Sequence, residues 1–176
     1  TFYIAEYYLE SGIELLGLNN VLQNKLVDWI ERYYSDDFDF DLLSGGSGTI
    51  IYLLKLYDRI KEDRLLLLCK KIALNIIRNA IITNDDSLSW ITKFGKTHTG
   101  FSHGTSGIAF SLFKLNAYLP DEEIKLAAIK ALNFERKMYD VEKNYWYSFK
   151  LYENDNIETI KNENHFWAYG SGGIAL

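Results

Sequence analysis

The sequence predicts an all-α protein built from repeated helix pairs. Three observations carry that prediction. A Gly-x-x-Gly turn recurs three times, at Gly45–Gly48, Gly104–Gly107 and Gly170–Gly173. The first two copies open long apolar runs with helical spacing. The 176 residues contain a single proline, Pro120, so little interrupts helices.

In chain order, residues 2–18 are aromatic and read as a short helix. From Val21 the pattern sharpens: Leu22, Leu26, Trp29, Ile30 and Tyr33 share one helical face, with Asn20 as its cap. The acidic stretch Asp36–Asp41 ends that helix. Residues 48–61 read as a helix buried around most of its circumference, because the run is too long for a typical strand. Arg64–Ile82 reads as a second helix, with Leu65, Leu68, Ile72, Ile76 and Asn79–Ala80 on its core face. Asn84–Ser87 is a turn. Residues 88–102 read as an irregular excursion, with a short hairpin as one form of it. Gly107–Tyr118 is a third apolar helix. Pro120-Asp121-Glu122-Glu123 marks the next start, with proline in the first turn and carboxylates at the positive end. The helix it opens puts Ile124, Ala127, Ala128, Ala131, Leu132 and Met138 on one side. Residues 143–152 are aromatic and 153–165 read as a polar loop. No regular β pattern competes.

Composition narrows the function classes. Apolar residues make up 48% and charged residues 24%, which fits a folded core. The net charge is −5 and no basic stripe occurs, so nucleic acid is not an expected partner. No apolar run approaches the roughly 20 residues of a membrane-spanning helix. Glu6 and Glu10 interrupt any signal-peptide pattern. One cysteine, Cys69, excludes an internal disulfide. Together these features make a cytoplasmic location the expectation.

The turns align at a spacing of 59 and then 66 residues, measured at the last glycine of each. Such periods signal stacked units that bury their apolar faces against one another. The first glycine of each turn is expected to take a positive φ. The second is expected to let a neighbouring helix approach closely. The residues just before the turns, Ser44, His103 and Tyr169, are expected to face one centre.

The segments Asp41–Gly48, Gly100–Ala109 and Trp167–Ile174 resemble those of the lanthionine synthetase C-like proteins, the lanthipeptide cyclases. The middle segment, Gly100-Phe101-Ser102-His103-Gly104-Thr105-Ser106-Gly107-Ile108-Ala109, is the nearest match. The resemblance implies an α/α toroid, an inner ring of helices inside an outer ring, of which residues 1–176 form part of a single domain. It implies addition of a cysteine thiol of a precursor peptide to dehydroalanine or dehydrobutyrine, giving a thioether ring. It also implies a zinc ion that lowers the thiol pKa.

By that resemblance His103 matches an active-site acid/base, and histidine suits the role because it titrates near neutrality. Asp41 matches an acidic residue beside it, and Tyr169 occupies the slot of a polar active-site residue. Each has a plainer alternative: a turn histidine bonding a helix end, a solvated carboxylate, an aromatic packing residue. The family's third motif carries a zinc-binding cysteine where this chain has Ala168, and a proline where it has Gly172. The further Cys-His ligand pair lies beyond Leu176. The chain is therefore expected to hold none of the three ligands, to be a fragment, and not to be a complete catalyst alone. Its exposed inner faces are expected to pair with a second copy or with missing sequence. His98, His103 and His165 show no metal-ligand spacing, and Cys69 reads as a small core residue. Two further functions stay open: a degenerate domain that binds peptide or acts as scaffold, and an α/α-toroid enzyme acting on carbohydrate. The latter needs a carboxylate partner for Asp41.

Overall fold

The computed structural model describes residues 18–33, 39–83, 86–92, 96–151, 157–160 and 171–174. The chain divides into two compact units, Thr1–Phe38 and Asp39–Leu176. The described part of the first unit is helix α1, Leu18–Tyr33. It starts before Asn20, so that residue lies in its first turn rather than capping it. Val27 and Ile30 are buried and Trp29 is 44% exposed, so the inward face is turned away from the tryptophan. The helix expected over 2–18 falls almost wholly outside the described residues.

The second unit is built on two helix pairs: α2, Gly46–Ile60, with α3, Asp63–Arg78, and α4, Thr105–Tyr118, with α5, Glu122–Lys137. The fold is all-α, as the sequence predicts. Each pair packs internally, and the two apolar helices α2 and α4 pack against each other. Ile50, Leu53 and Leu56 of α2, Leu65, Ile72 and Ile76 of α3, and Leu112 and Leu115 of α4 are buried. So are Ile124, Ala128, Ala131 and Phe134 of α5. The alanines of α5 give a flat face against which α4 can lie close. Leu132 and Met138, expected on that face, are only part-buried.

The start signal is real, but Pro120 lies outside the helix rather than in its first turn. Asp121 is the cap, its Oδ1 accepting from the N–H groups of Glu123 and Ile124 at 3.0 and 3.3 Å. Pro120 precedes it, and α5 begins at Glu122. The Lys70 ammonium, 2.8 Å from the same carboxyl, ties α3 to that cap and, with the backbone bonds, holds Asp121 below the usual carboxylate range.

Helix α3 ends four residues earlier than the periodicity predicts. Asn79 and Ala80 N–H groups close its last carbonyls, and two side chains add to them. Asn79 Nδ2–H donates to Asn75 O at 2.9 Å, and Trp90 Nε1–H donates to Ile76 O at 2.7 Å. Ile81–Thr83 (β1) then pairs antiparallel with Ser87–Ser89 (β2), Ile82 opposite Leu88, as suits β-branched residues. Asn79 is exposed and Ala80 part-buried, so neither joins the core face. Trp90 is 3% exposed, so Trp90→Phe removes the donor in a dry site. The expected cost is about 1–2 kcal/mol, read as a lower denaturant midpoint with an unchanged slope.

Other short strands decorate the helices, although the sequence shows no regular β pattern and suggests only a short hairpin within residues 88–102. Lys96–Thr97 (β3), Ser148–Leu151 (β6) and Ile157–Ile160 (β7) form one sheet in the order β3-β6-β7. Tyr139–Asp140 (β4) and Tyr145–Trp146 (β5) form a hairpin. Strand β7 lies in the stretch read as a polar loop. Strands of two to four residues are too short to show an alternating pattern. The third turn opens a helix too: α6 spans Ser171–Ile174, with Gly173 buried.

Candidate functional site

The first two Gly-x-x-Gly turns share one backbone design. Gly45 and Gly104 are the N-caps of α2 and α4, with extended φ values of −117° and −113°. The expectation of positive φ there is overturned. These positions need glycine because a Cβ would overlap preceding backbone: Asp39 O and Asp41 N at Gly45, and the Thr99–Gly100 peptide at Gly104. Positive φ occurs instead at Gly100, at 109°. The second glycines are also crowded by their own loops rather than by a neighbouring helix. A Cβ at Gly48 would overlap Leu42 O; one at Gly107 would overlap Phe101 O and lie 3.0 Å from Leu42 Cβ. The hydrogen bonds repeat in register: Gly46 N–H donates to Asp39 O, and 59 positions on, Thr105 N–H donates to His98 O. Gly107→Ala is expected to cost about 1–3 kcal/mol, because rigid backbone must move, and calorimetry of the variant measures it.

The two turns are stitched together. Ser102 O accepts from Leu42 and Leu43 N–H groups, each at 3.2 Å. This contact brings two sequence-predicted site residues into one cluster. Asp41 Oδ2 lies 2.6 Å from His103 Nδ1. Asp41 Oδ1 accepts from Ser44 N–H at 2.7 Å and from the Ser44 hydroxyl at 3.1 Å. Asp41 is only 3% exposed, whereas the His103 side chain is 22% exposed and can meet a solute. An ionised Asp41 carboxylate can only accept, and in that state the His103 Nδ1–H donates to it. The slots before the first and second turns, Ser44 and His103, therefore meet through Asp41. The third slot, Tyr169, and Ala168 beside it, lie outside the described residues.

Two polar residues at this cluster were not assigned from sequence. From sequence, Ser44 reads only as the residue before the first turn. Glu135, near the end of α5, is 3% exposed and lies behind the second turn. Its Oε1 accepts from Gly100 N–H at 3.1 Å, Ser106 N–H at 2.9 Å and the Thr105 hydroxyl at 2.5 Å. Burial pushes its carboxyl up to about 7, against the opposing pull of those donors. A signal was present: Glu135 sits four residues beyond Ala131, on the apolar face of α5.

The described residues do not fit a zinc site. No group of three or more His, Cys, Asp and Glu side chains among them could hold a metal ion. Cys69 is buried in the core beside Ile50 O, and burial pushes its thiol up to about 12, far from a ready thiolate ligand. Asp41 and His103 are engaged with each other. No helix among the described residues is long and apolar enough to cross a membrane.

A helical repeat with glycine-capped turns that gather an Asp-His pair defines a class. The model of the family described as lanthionine synthetase C-like protein matches residues 7–176, and the chain belongs to that family. It is 22% identical over 192 aligned positions to the nisin biosynthesis protein NisC of Lactococcus lactis subsp. lactis. That alignment covers 97% of this chain and 41% of the relative, so the chain spans about two fifths of the length of the curated protein it matches.

Proposed function

We propose that this chain supplies part of the active site of a lanthipeptide cyclase, an α/α toroid acting on a dehydrated precursor peptide. The observation that carries the reading is the 2.6 Å pairing of His103 with buried Asp41 across two repeat turns. Family membership and the likeness to a protein named for nisin biosynthesis support it.

In the proposed reaction a peptide cysteine, as its thiolate, attacks the β-carbon of dehydroalanine or dehydrobutyrine. The C–S bond forms, the alkene π pair moves into the carbonyl, and an enolate results. His103, doubly protonated once its Nε2 takes the proton that the cysteine thiol gives up, then returns that proton to the α-carbon, and the thioether is complete. Asp41 holds Nδ1, so transfer runs from Nε2. The buried carboxylate fixes both tautomer and ring plane, and the Ser44 donors fix the carboxylate. Tyr169 is proposed to stand at the same centre. The residues around His103 supply proton transfer and positioning, and zinc, which the resemblance implies, is proposed not to be held by this chain.

The test is incubation of the full-length protein with a dehydrated precursor peptide. Cyclisation leaves the mass unchanged but removes thiols, so alkylation reports it. Progressive loss of alkylatable cysteine is expected; thiols that persist at the rate without enzyme overturn the reading. Ala168 favours a second reading, a non-catalytic domain that binds the peptide. Saturable binding with no thiol loss would select it.

A further inference from the structure

His103 sits on a loop held from two sides. On one side the first turn grips Ser102 O. On the other, Glu135 reaches from α5 to three donors that bracket the histidine: Gly100 N–H before it, and the Thr105 hydroxyl and Ser106 N–H after it. All three converge on Oε1, while Oε2 has no hydrogen-bond partner among the described residues. Burying an acidic group at a helix C-terminal end is unfavourable twice, through lost hydration and through the dipole of α5. An apolar residue would serve packing better at that site. The first repeat uses one: Ile76, 59 positions earlier, is fully buried in α3. The carboxylate thus occurs in the repeat whose turn bears His103, and the apolar side chain in the repeat whose turn bears Ser44.

We propose that Glu135 is a positioning residue for His103, its buried carboxylate fixing the Gly100–Ser106 segment so that the imidazole meets Asp41. The inference rests on the cyclase reading for its catalytic consequence, but not for its structural one. Glu135 touches no substrate; it acts through the loop. A displacement of about 1 Å at a catalytic group costs on the order of 100-fold in rate.

The experiment compares Glu135→Gln, Glu135→Asp and Glu135→Ala in the full-length protein. Glutamine keeps an acceptor at the Oε1 position, aspartate withdraws it by one methylene, and alanine removes it. Amide hydrogen exchange is read at Gly100 and Ser106, with core amides such as Leu112 as the reference. Protection of the two loop amides is expected to fall at least about 10-fold in the Asp and Ala variants and to persist in the Gln variant, with the core unchanged. Cyclisation kcat is expected to fall about 10- to 100-fold in the same two variants at constant KM, and Gln is expected to restore it. Should the Ala variant not fold, the Asp variant decides. Wild-type protection of both amides in the Asp variant overturns the proposal, as does lost protection with unaltered kcat. A wild-type protein that never cyclises sinks the cyclase reading instead, and the exchange data still decide whether Glu135 holds the loop.

Discussion

His103→Asn should reduce cyclisation by about 100- to 10,000-fold while leaving peptide binding and unfolding temperature close to wild type. The side chain is part-exposed at a loop, so its removal creates no core cavity. Asparagine is isosteric with the Nδ1 side of the ring and can still donate to Asp41 Oδ2, which lies 2.6 Å from Nδ1 in the wild type. What is lost is Nε2, the ring nitrogen proposed to deliver the proton. Thiol alkylation against time, at several peptide concentrations, separates kcat from KM. A kcat within threefold of wild type would remove His103 from the proton-transfer step. Asp41→Asn is the companion variant. An amide nitrogen facing Nδ1 would force the other tautomer or turn the ring, so kcat should fall while KM holds.

The architecture was legible because it rests on long-range periodicity. The face of α3 from Leu65 to Ile76 and the start of α5 at Asp121 follow from spacing and capping chemistry, both local. The 59-residue offset also reported real geometry, since the backbone bonds at Gly46 and Thr105 superpose in that register. What the sequence concealed was decided by tertiary contacts. The end of α3 depends on Trp90, fourteen residues away, capping Ile76 O. The glycine requirement was anticipated but for the wrong reason. Crowding from preceding backbone, rather than a positive φ, excludes a side chain at Gly45 and Gly104.

The site was half legible for a related reason. His103 and Asp41 stand 62 positions apart, and nothing local says they touch. Aligning the turns suggested a shared centre, and the Leu42–Ser102 and Leu43–Ser102 backbone bonds bring those two residues there. Glu135 escaped because a charged residue in a last turn usually reads as solvated. Its four-residue step from Ala131 was the contrary sign, and that sign has meaning only once α4 is known to cover the alanine face.

Stability of the folded protein should decline as pH rises from about 5 to about 8, and Glu135→Gln should abolish that part of the decline. The carboxyl titrates near 4.5 when unfolded and near 7 when folded, because burial disfavours its charge more than its three donors favour it. Between those values the folded state keeps a proton that the unfolded state has released. The folded state therefore binds more protons, and the unfolding free energy falls with increasing pH. The contribution is fully present below about pH 4.5 and lost as pH climbs through about 7, a change of about 3 kcal/mol. Glutamine does not titrate, so the variant should gain on wild type by up to that amount across the interval, whatever its stability at the acidic end. Denaturant unfolding of both proteins at several pH values measures the difference directly. A difference that stays constant with pH would mean that Glu135 is charged throughout, with its donors outweighing its burial.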